Sequence, residues 1–323
     1  MRPPRPVFLL TLILAAVACG GPLDARPAGA PVRVLVEPDA GPDAVRGLFA
    51  AARRSLSMEM YLLTDGATID ALVARRRAGV DVRVVLEPHP YQADGANDDA
   101  FARLSEAGVL VAWASPRFAL THAKLAVVDH ARLVVLTLNL TRAGLSGNRE
   151  YAVVDDDARD VAAADALIAG DLAGAAPSAP GGRVLASPTS TRPALTGALA
   201  RATRTIAVEM EELSDPTLVA ALAAAPTRGC AVSVVLPGSG ASPATAAAAR
   251  QLAAAGVAVR LLDAPQVHAK AVVADGWLYV GSANLTTASL DANREVGLAL
   301  TDAAAVRLVG GTIAADLARG RAP

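Results

Sequence analysis

Lysine is nearly absent from this chain. Of its 30 lysines and arginines only Lys124 and Lys270 are lysines, and arginine supplies every other basic side chain. Cysteine is as scarce: Cys19 and Cys230 alone cannot make a disulfide framework. Aromatic residues, at 3%, leave few side chains for stacking nucleic-acid bases. A net charge of −1 gives no general pull toward nucleic acid or anionic membranes. What is abundant is apolar. With 53% hydrophobic and 19% charged residues the chain buries a core and is not disordered, and 323 residues suffice for two ordinary domains. Cys230 opens the apolar run CAVSVVL and is expected as a small buried hydrophobe.

The N-terminus has the form of an export signal. Arg2 and Arg5 precede an apolar stretch, Val7 to Val17, too short to span a bilayer. Ala16-Val17-Ala18-Cys19-Gly20 follows, which fits an A-x-A cleavage site and also resembles the lipobox of bacterial lipoproteins. The lipobox implies cleavage after residue 18, lipidation of Cys19 and anchoring in a bacterial cell envelope; plain secretion is the alternative. The Pro/Gly-rich residues 19–31 are expected as a tether.

Both lysines stand two residues after a histidine, in THAKLAVVD (Thr121–Asp129) and VHAKAVVAD (Val267–Asp275), 268 − 122 = 146 residues apart. Similarity spreads outward from these sites. SMEMYLLTD (Ser57–Asp65) answers to AVEMEELSD (Ala207–Asp215), AGVDVRVVLEP to RGCAVSVVLPG, and LSEAGVLVAW to LAAAGVAVRL. Downstream, LNLT and NREYAVV answer to ANLT and NREVGLA. The chain is a duplicated unit: one domain at 32–170, a Pro/Gly-rich linker at 171–182, and a second domain at 183–323.

Within the first unit, β-rich apolar runs alternate with helical patterns. Strands are expected at VRVLVEP, SMEMYLL, VRVVLE, VLVAW, KLAVVD and RLVVLTL, and helices at Pro42–Arg54, Ile69–Ala78 and Asp98–Ala107. This alternation predicts an α/β architecture: two tandem domains, each a mixed β-sheet flanked by helices, related by a pseudo-two-fold axis. A monomer with internal pseudo-symmetry is expected.

Each half carries H-x-K-x-x-x-x-D: His122, Lys124 and Asp129, then His268, Lys270 and Asp275. On a strand, residues two apart share a face, so His and Lys project together. Thr137, Asn139 and Glu150 follow in the first half, and Ser282, Asn284 and Glu295 in the second. Imidazole is a nucleophile available near neutral pH. A phosphodiester is anionic, so its attack requires positive charge around the non-bridging oxygens. Lys124 and Lys270 supply that charge, with donors from Thr137, Asn139, Ser282 and Asn284. Lysine's compact ammonium suits a crowded site better than arginine's broad fork. Two histidines allow two roles: one attacks phosphorus, the other protonates the leaving oxygen and then activates water or an alcohol.

The doubled motif resembles the phospholipase D superfamily, whose signature is H-x-K-x4-D followed by G-S-x-N, present twice. The resemblance covers Arg33 to Leu308. It implies a phosphohistidine intermediate, with His122 as nucleophile and His268 as acid/base. It also implies carboxylate partners downstream of each motif, Glu150 for His122 and Glu295 for His268, and local structural support from Asp129 and Asp275. No cofactor or metal is implied: an ammonium beside each histidine opposes a cation, and no cluster has ligand spacing. The first half departs from the pattern. It has Leu136-Thr137-Leu138-Asn139 where the second has Gly281-Ser282-Ala283-Asn284, and its Asn stands one residue farther from its Asp. Leu136 therefore puts a close backbone approach to phosphate in question.

The function expected first is a metal-independent phosphodiesterase that hydrolyses or transfers phospholipid headgroups at the membrane carrying its lipid anchor. An exported nuclease using the same chemistry is the alternative. Charge disfavours it: residues 32–170 carry 15 basic and 19 acidic side chains, residues 183–323 carry 12 and 10, and neither shows a basic footprint. A non-catalytic phosphate-binding envelope protein is the third possibility, opposed by the complete His/Lys/Asn/Glu sets in both halves. His89 and His130 are expected as loop residues, Arg75–Arg77 as a solvated helix end, and GSGASPAT as a plain turn. Glu59 and Glu209, at equivalent strand positions, either face the cleft or share a structural role.

Overall fold

Strands and helices alternate in each half as the apolar patterning predicts. The computed structural model describes residues 32–323; the leader, Cys19 and the tether lie outside the described residues. The first half runs β1 (Arg33–Glu37), α1 (Pro42–Ala50), β2 (Ser55–Met60), α2 (Gly66–Arg77), β3 (Asp81–Leu86), α3 (Asp98–Glu106), β4 (Leu110–Trp113), β5 (Lys124–Val128), β6 (Arg132–Leu136), α4 (Arg142–Ser146), β7 (Asn148–Asp155) and α5 (Ala158–Leu172). The second runs β8 (Val184–Ser187), α6 (Thr191–Arg201), β9 (Thr205–Met210), α7 (Pro216–Ala224), β10 (Ala231–Pro237), α8 (Pro243–Ala254), β11 (Ala258–Leu262), β12 (Gln266–Val267), β13 (Lys270–Ala274), β14 (Trp277–Gly281), α9 (Thr287–Asp291), β15 (Glu295–Leu300) and α10 (Ala303–Arg319).

The two sheets have the same strand order, β1-β7-β6-β5-β2-β3-β4 and β8-β15-β14-β13-β9-β10-β11. In each, the β2–β3–β4 or β9–β10–β11 side is parallel and the remainder antiparallel. Strand parity sorts the side chains. Leu125 and Val127 of β5 meet Ala271 and Val273 of β13 in a core between the sheets, closed by α5 and α10. Ala126 and Val128 face outward onto α1 and α2, and Val272 and Ala274 onto α6 and α7. β5 and β13 are covered on both faces, which is why they read as unbroken apolar runs.

Of the boundaries that differ from expectation, three have an evident local reason. The helix predicted to reach Arg54 stops at Ala50, because the backbone N–H groups of Arg53, Arg54 and Ser55 donate to the Asp129 carboxylate at 2.6–3.1 Å. α2 begins at Gly66, ahead of Ile69, because Asp65 caps it, accepting from the Thr68 N–H. α5 runs to Leu172, two residues into the expected linker, and its Asp171 is tied to Arg294 at 2.5 Å.

Asp129 and Asp275 hold local structure, as the resemblance implied. Asp275 accepts from the backbone of Thr203, Arg204 and Thr205, mirroring Asp129. Both have left-handed backbone, φ 56° and 46°, at the tip of a hairpin. Asp275-Gly276 is the whole connection between β13 and β14, a pairing that suits a tight two-residue turn. Asp129-His130-Ala131 is one residue longer. That extra residue accounts for the first-half spacing difference, and it lies far from the histidine end of the strand.

Candidate active site

Four strand ends converge where the halves meet. Just before β5, Thr121 makes a bridge to Arg294; in the mirror position β12 pairs with the start of β7, Val267 opposite Arg149. The His122 N–H donates to the Arg294 carbonyl at 2.8 Å, and the His268 N–H to that of Arg149 at 3.3 Å. Each histidine is thereby laid against the NRE triplet of the other half.

This register corrects the expected carboxylate partners. Glu295, not Glu150, stands 3.0 Å from Nδ1 of His122, and Glu150, not Glu295, stands 2.6 Å from Nδ1 of His268. The cause is the inter-half strand pairing, which a linear motif does not display. Each residue of NRE is used. Asn148 and Asn293 donate to the carboxylates of Glu150 and Glu295. Arg149 bonds Asp316 on α10 at 2.6 Å, and Arg294 bonds Asp171 on α5, both across the halves.

Lys124 and Lys270 are completely buried, while the imidazoles keep edges exposed, 12% for His122 and 17% for His268. Lys124 Nζ donates to the His122 carbonyl at 2.8 Å, and Lys270 Nζ to the His268 carbonyl at 2.6 Å, so each lysine curls back beside its histidine. Burial, reinforced by the like charge of Lys270, pulls the Lys124 ammonium down to about 7. Burial also lowers the His122 pKa, opposed in part by Glu295. Burial alone would raise the Glu295 carboxyl, but His122 and Lys124 outweigh it and hold it below its ordinary value.

Asn284 lies at the site, its Oδ1 accepting from the Glu212 N–H at 3.1 Å. Asn139 is buried at the equivalent point with Oδ1 unpaired. Thr137 and Ser282, expected on the phosphate, are placed differently. Both are fully buried: Thr137 donates to Glu150 at 2.6 Å and accepts from the Tyr151 N–H, and Ser282 accepts from the Val296 N–H. Their hydroxyls face β7 and β15 because the strand preceding each asparagine lies in the sheet. They position backbone and carboxylate, behind the site.

The concern over Leu136 also resolves. A Cβ on Gly297 would collide with the Tyr279 ring, and one on Gly281 with the backbone of Gly297 and Val296 and with the Tyr279 hydroxyl. The first half has Val134, Leu136 and Ala152 at these three points, in the same strand register. Gly281 lets β14 and β15 approach closely beside an internal tyrosine, so its replacement by Leu136 is a matter of packing within the sheet. Glu59 and Glu209 prove structural. They stand beside Leu125 and Ala271, on the inter-sheet face opposite to the lysines, and burial raises both carboxyls, Glu209 to about 8. His89 and His130 pair with Asp94 and Asp165 at the surface.

Two contributors were not picked out from the sequence. Tyr61 lies edge-on to His122, ring centroids 4.4 Å apart, with Lys124 Nζ 4.8 Å from its ring centre. Glu211 lies 2.6 Å from Lys270 Nζ and 3.4 Å from Nε2 of His268. Their signal was present: aligning SMEMYLLTD with AVEMEELSD sets Tyr61 opposite Glu211, an abrupt change inside a matched segment. Among the described residues, no group of three or more His, Cys, Asp or Glu side chains is arranged to hold a metal ion. Nor is any described helix long and apolar enough to cross a membrane.

Among solved structures, the polyphosphate kinase of Porphyromonas gingivalis superposes with a TM-score of 0.71 at 16% identity. The match covers 89% of this chain and 50% of the kinase, so the chain spans about half that protein's length. Phosphatidylserine synthase of Haemophilus influenzae Rd KW20 superposes with a TM-score of 0.67 at 13% identity, over 89% of this chain and 86% of the synthase. At such identities the likeness is one of fold. No curated protein sequence matches the chain. The family model described as "Cardiolipin synthase, PLD-like domain" matches residues 45–171 and 195–316. It takes in both H-x-K strands and both NRE triplets whose carboxylates meet the histidines of the opposite half: the chain belongs to the phospholipase D superfamily.

Proposed function

We propose that this protein cleaves or exchanges the headgroup ester of phospholipids through a phosphohistidine. The observation that carries this reading is the crossed pair His122–Glu295 and His268–Glu150 with both lysines beside it. A carboxylate at Nδ1 holds the proton there and turns the Nε2 lone pair of neutral His122 outward, as attack requires. His122 Nε2 forms a bond to phosphorus while the bond to the headgroup oxygen breaks, and His268 gives that oxygen its proton. His268 then takes a proton from water or an alcohol, whose oxygen displaces His122 and releases phosphatidate or a new phosphodiester. Lys124, Lys270, Asn139 and Asn284 offset the charge on the non-bridging oxygens. No step calls on a metal.

Phospholipid is favoured over nucleic acid by the lack of a basic footprint and of aromatic stacking residues. The lipobox-like segment at Cys19 supports the same substrate, since a lipid anchor would hold the enzyme, as a monomer, at the envelope membrane. The test is to supply purified protein, in chelator, with mixed phospholipids and a primary alcohol, and with DNA in parallel. A new phosphatidyl-alcohol is expected. Nicked DNA beside intact lipid would assign the protein to nucleases instead.

A further inference from the structure

His, Lys, Asn and Glu recur in both halves of the site, but the residue that follows β2 and β9 does not. In the second half it is Glu211. One of its carboxylate oxygens lies 2.6 Å from Lys270 Nζ and 3.2 Å from Asn284 Nδ2, and the other 3.4 Å from His268 Nε2. These three donors are the ones the second half would offer to a phosphate. Burial alone would raise this carboxyl, but His268 and Lys270 outweigh it and hold Glu211 well below the ordinary range, so it stays anionic. Its side chain is 30% exposed, so rotation into solvent is open to it.

The first half has Tyr61 instead. Its hydroxyl is turned away, accepting the Tyr91 N–H at 2.6 Å, and burial pushes the phenol up to about 12, so it brings no charge. Among the described residues, Lys124 Nζ has no carboxylate within ion-pair distance and donates only to the His122 carbonyl. One half-site therefore waits for an anion while the other already holds one.

We propose that Glu211 is a built-in competitor for the substrate phosphate, filling the second anion subsite until a phosphate seated on the Lys124–Asn139 side displaces it from Lys270, Asn284 and His268. A carboxylate and a phosphate offer similar acceptor oxygens to the same donors, so occupation by one excludes the other. The displaced carboxylate remains close enough to repel further negative charge, which makes Glu211 a specificity residue favouring singly charged phosphodiesters over dianionic monoesters. The proposal rests on the reading of this site as a phosphodiester site.

Calorimetric titration of the protein with inorganic phosphate at neutral pH tests it, comparing wild type with Glu211→Gln, Glu211→Ala and Glu212→Gln. The last removes the same charge one residue away. Both Glu211 variants should bind phosphate about ten-fold tighter or better, and Glu212→Gln should stay within about three-fold of wild type. Equal or weaker binding in folded Glu211 variants would overturn the proposal, as would an equal gain in Glu212→Gln, which would reduce the effect to overall charge. Wild-type binding that Lys124→Met abolishes but Glu211→Gln leaves unchanged would sink the proposal and keep the phosphodiester reading. No phosphate binding by any form, at millimolar concentration, would overturn the proposal, and the phosphodiester reading would then be decided by the alcohol-exchange test alone.

Discussion

Glu295 and His122 are 173 positions apart in the chain and 3.0 Å apart at the site, and the same crossing joins Glu150 to His268. The first consequence concerns which histidine each carboxylate serves. Glu295→Gln should slow formation of the covalent intermediate, by about two orders of magnitude, because His122 loses its orienting partner. Glu150→Gln should instead leave the initial burst with a nitrophenyl ester nearly intact and slow its release. Stopped-flow kinetics on both variants decide the matter; the reverse pattern would exchange the roles.

The histidines themselves should fail differently. His122→Asn is expected to abolish turnover and adduct together. His268→Asn should still release a good leaving group such as nitrophenolate once, then accumulate an acid-labile phosphohistidine. Peptide mapping by mass spectrometry should find it on His122. An adduct on His268 would exchange the assignments, and full activity in both variants would defeat the mechanism.

Lys124 makes binding depend on pH. Its ammonium, at about 7 in the empty site, is partly deprotonated at neutral pH and must be charged to hold a phosphate. Above pH about 7 anion binding should therefore take up a proton and weaken as pH rises. The lowered pKa of His122 sets the opposite limb, since the neutral nucleophile is lost only on acidification below its ordinary range. Calorimetry of phosphate binding in buffers of different ionisation enthalpy measures the uptake. Zero uptake at pH 8 would contradict the burial assigned to Lys124.

Gly297 faces the ring of the fully buried Tyr279. Gly297→Ala should cost about 1–3 kcal/mol of stability by overpacking. Adding Tyr279→Val, which copies the Val134/Ala152 pair of the first half, should recover part of that loss relative to Tyr279→Val alone. Urea unfolding of the single and double variants gives the coupling; strict additivity would show that ring and glycine do not interact.

At the N-terminus, Cys19→Ser or inhibition of lipoprotein processing should release the protein from membranes. Fractionation with a mature form that stays bound without an acyl chain would exclude the lipid anchor.

Much of this was legible in the chain. The repeat, the α/β alternation and the His, Lys, Asn and Glu positions follow from spacing and apolar parity, which are local properties. Three things escaped. The crossing of carboxylates depends on Thr121 meeting Arg294 and Val267 meeting Arg149, contacts between distant segments with no local signature. Thr137 and Ser282 look like phosphate donors by type, but their burial is set by β7 and β15. Gly281 looks like a phosphate-approach glycine until the backbone of Val296 and Gly297, with the Tyr279 hydroxyl, is seen to fill the space a side chain would take.

The crossing also constrains how such a site can change. An assembly of two identical subunits carries the same side chain at both symmetry-related places, so a carboxylate introduced beside one lysine would appear beside the other as well. Joining both copies in one polypeptide removes that restriction while the crossed NRE contacts keep the halves in register. Tyr61 and Glu211 occupy matching positions with opposite chemistry, a division of labour that two identical subunits could not carry.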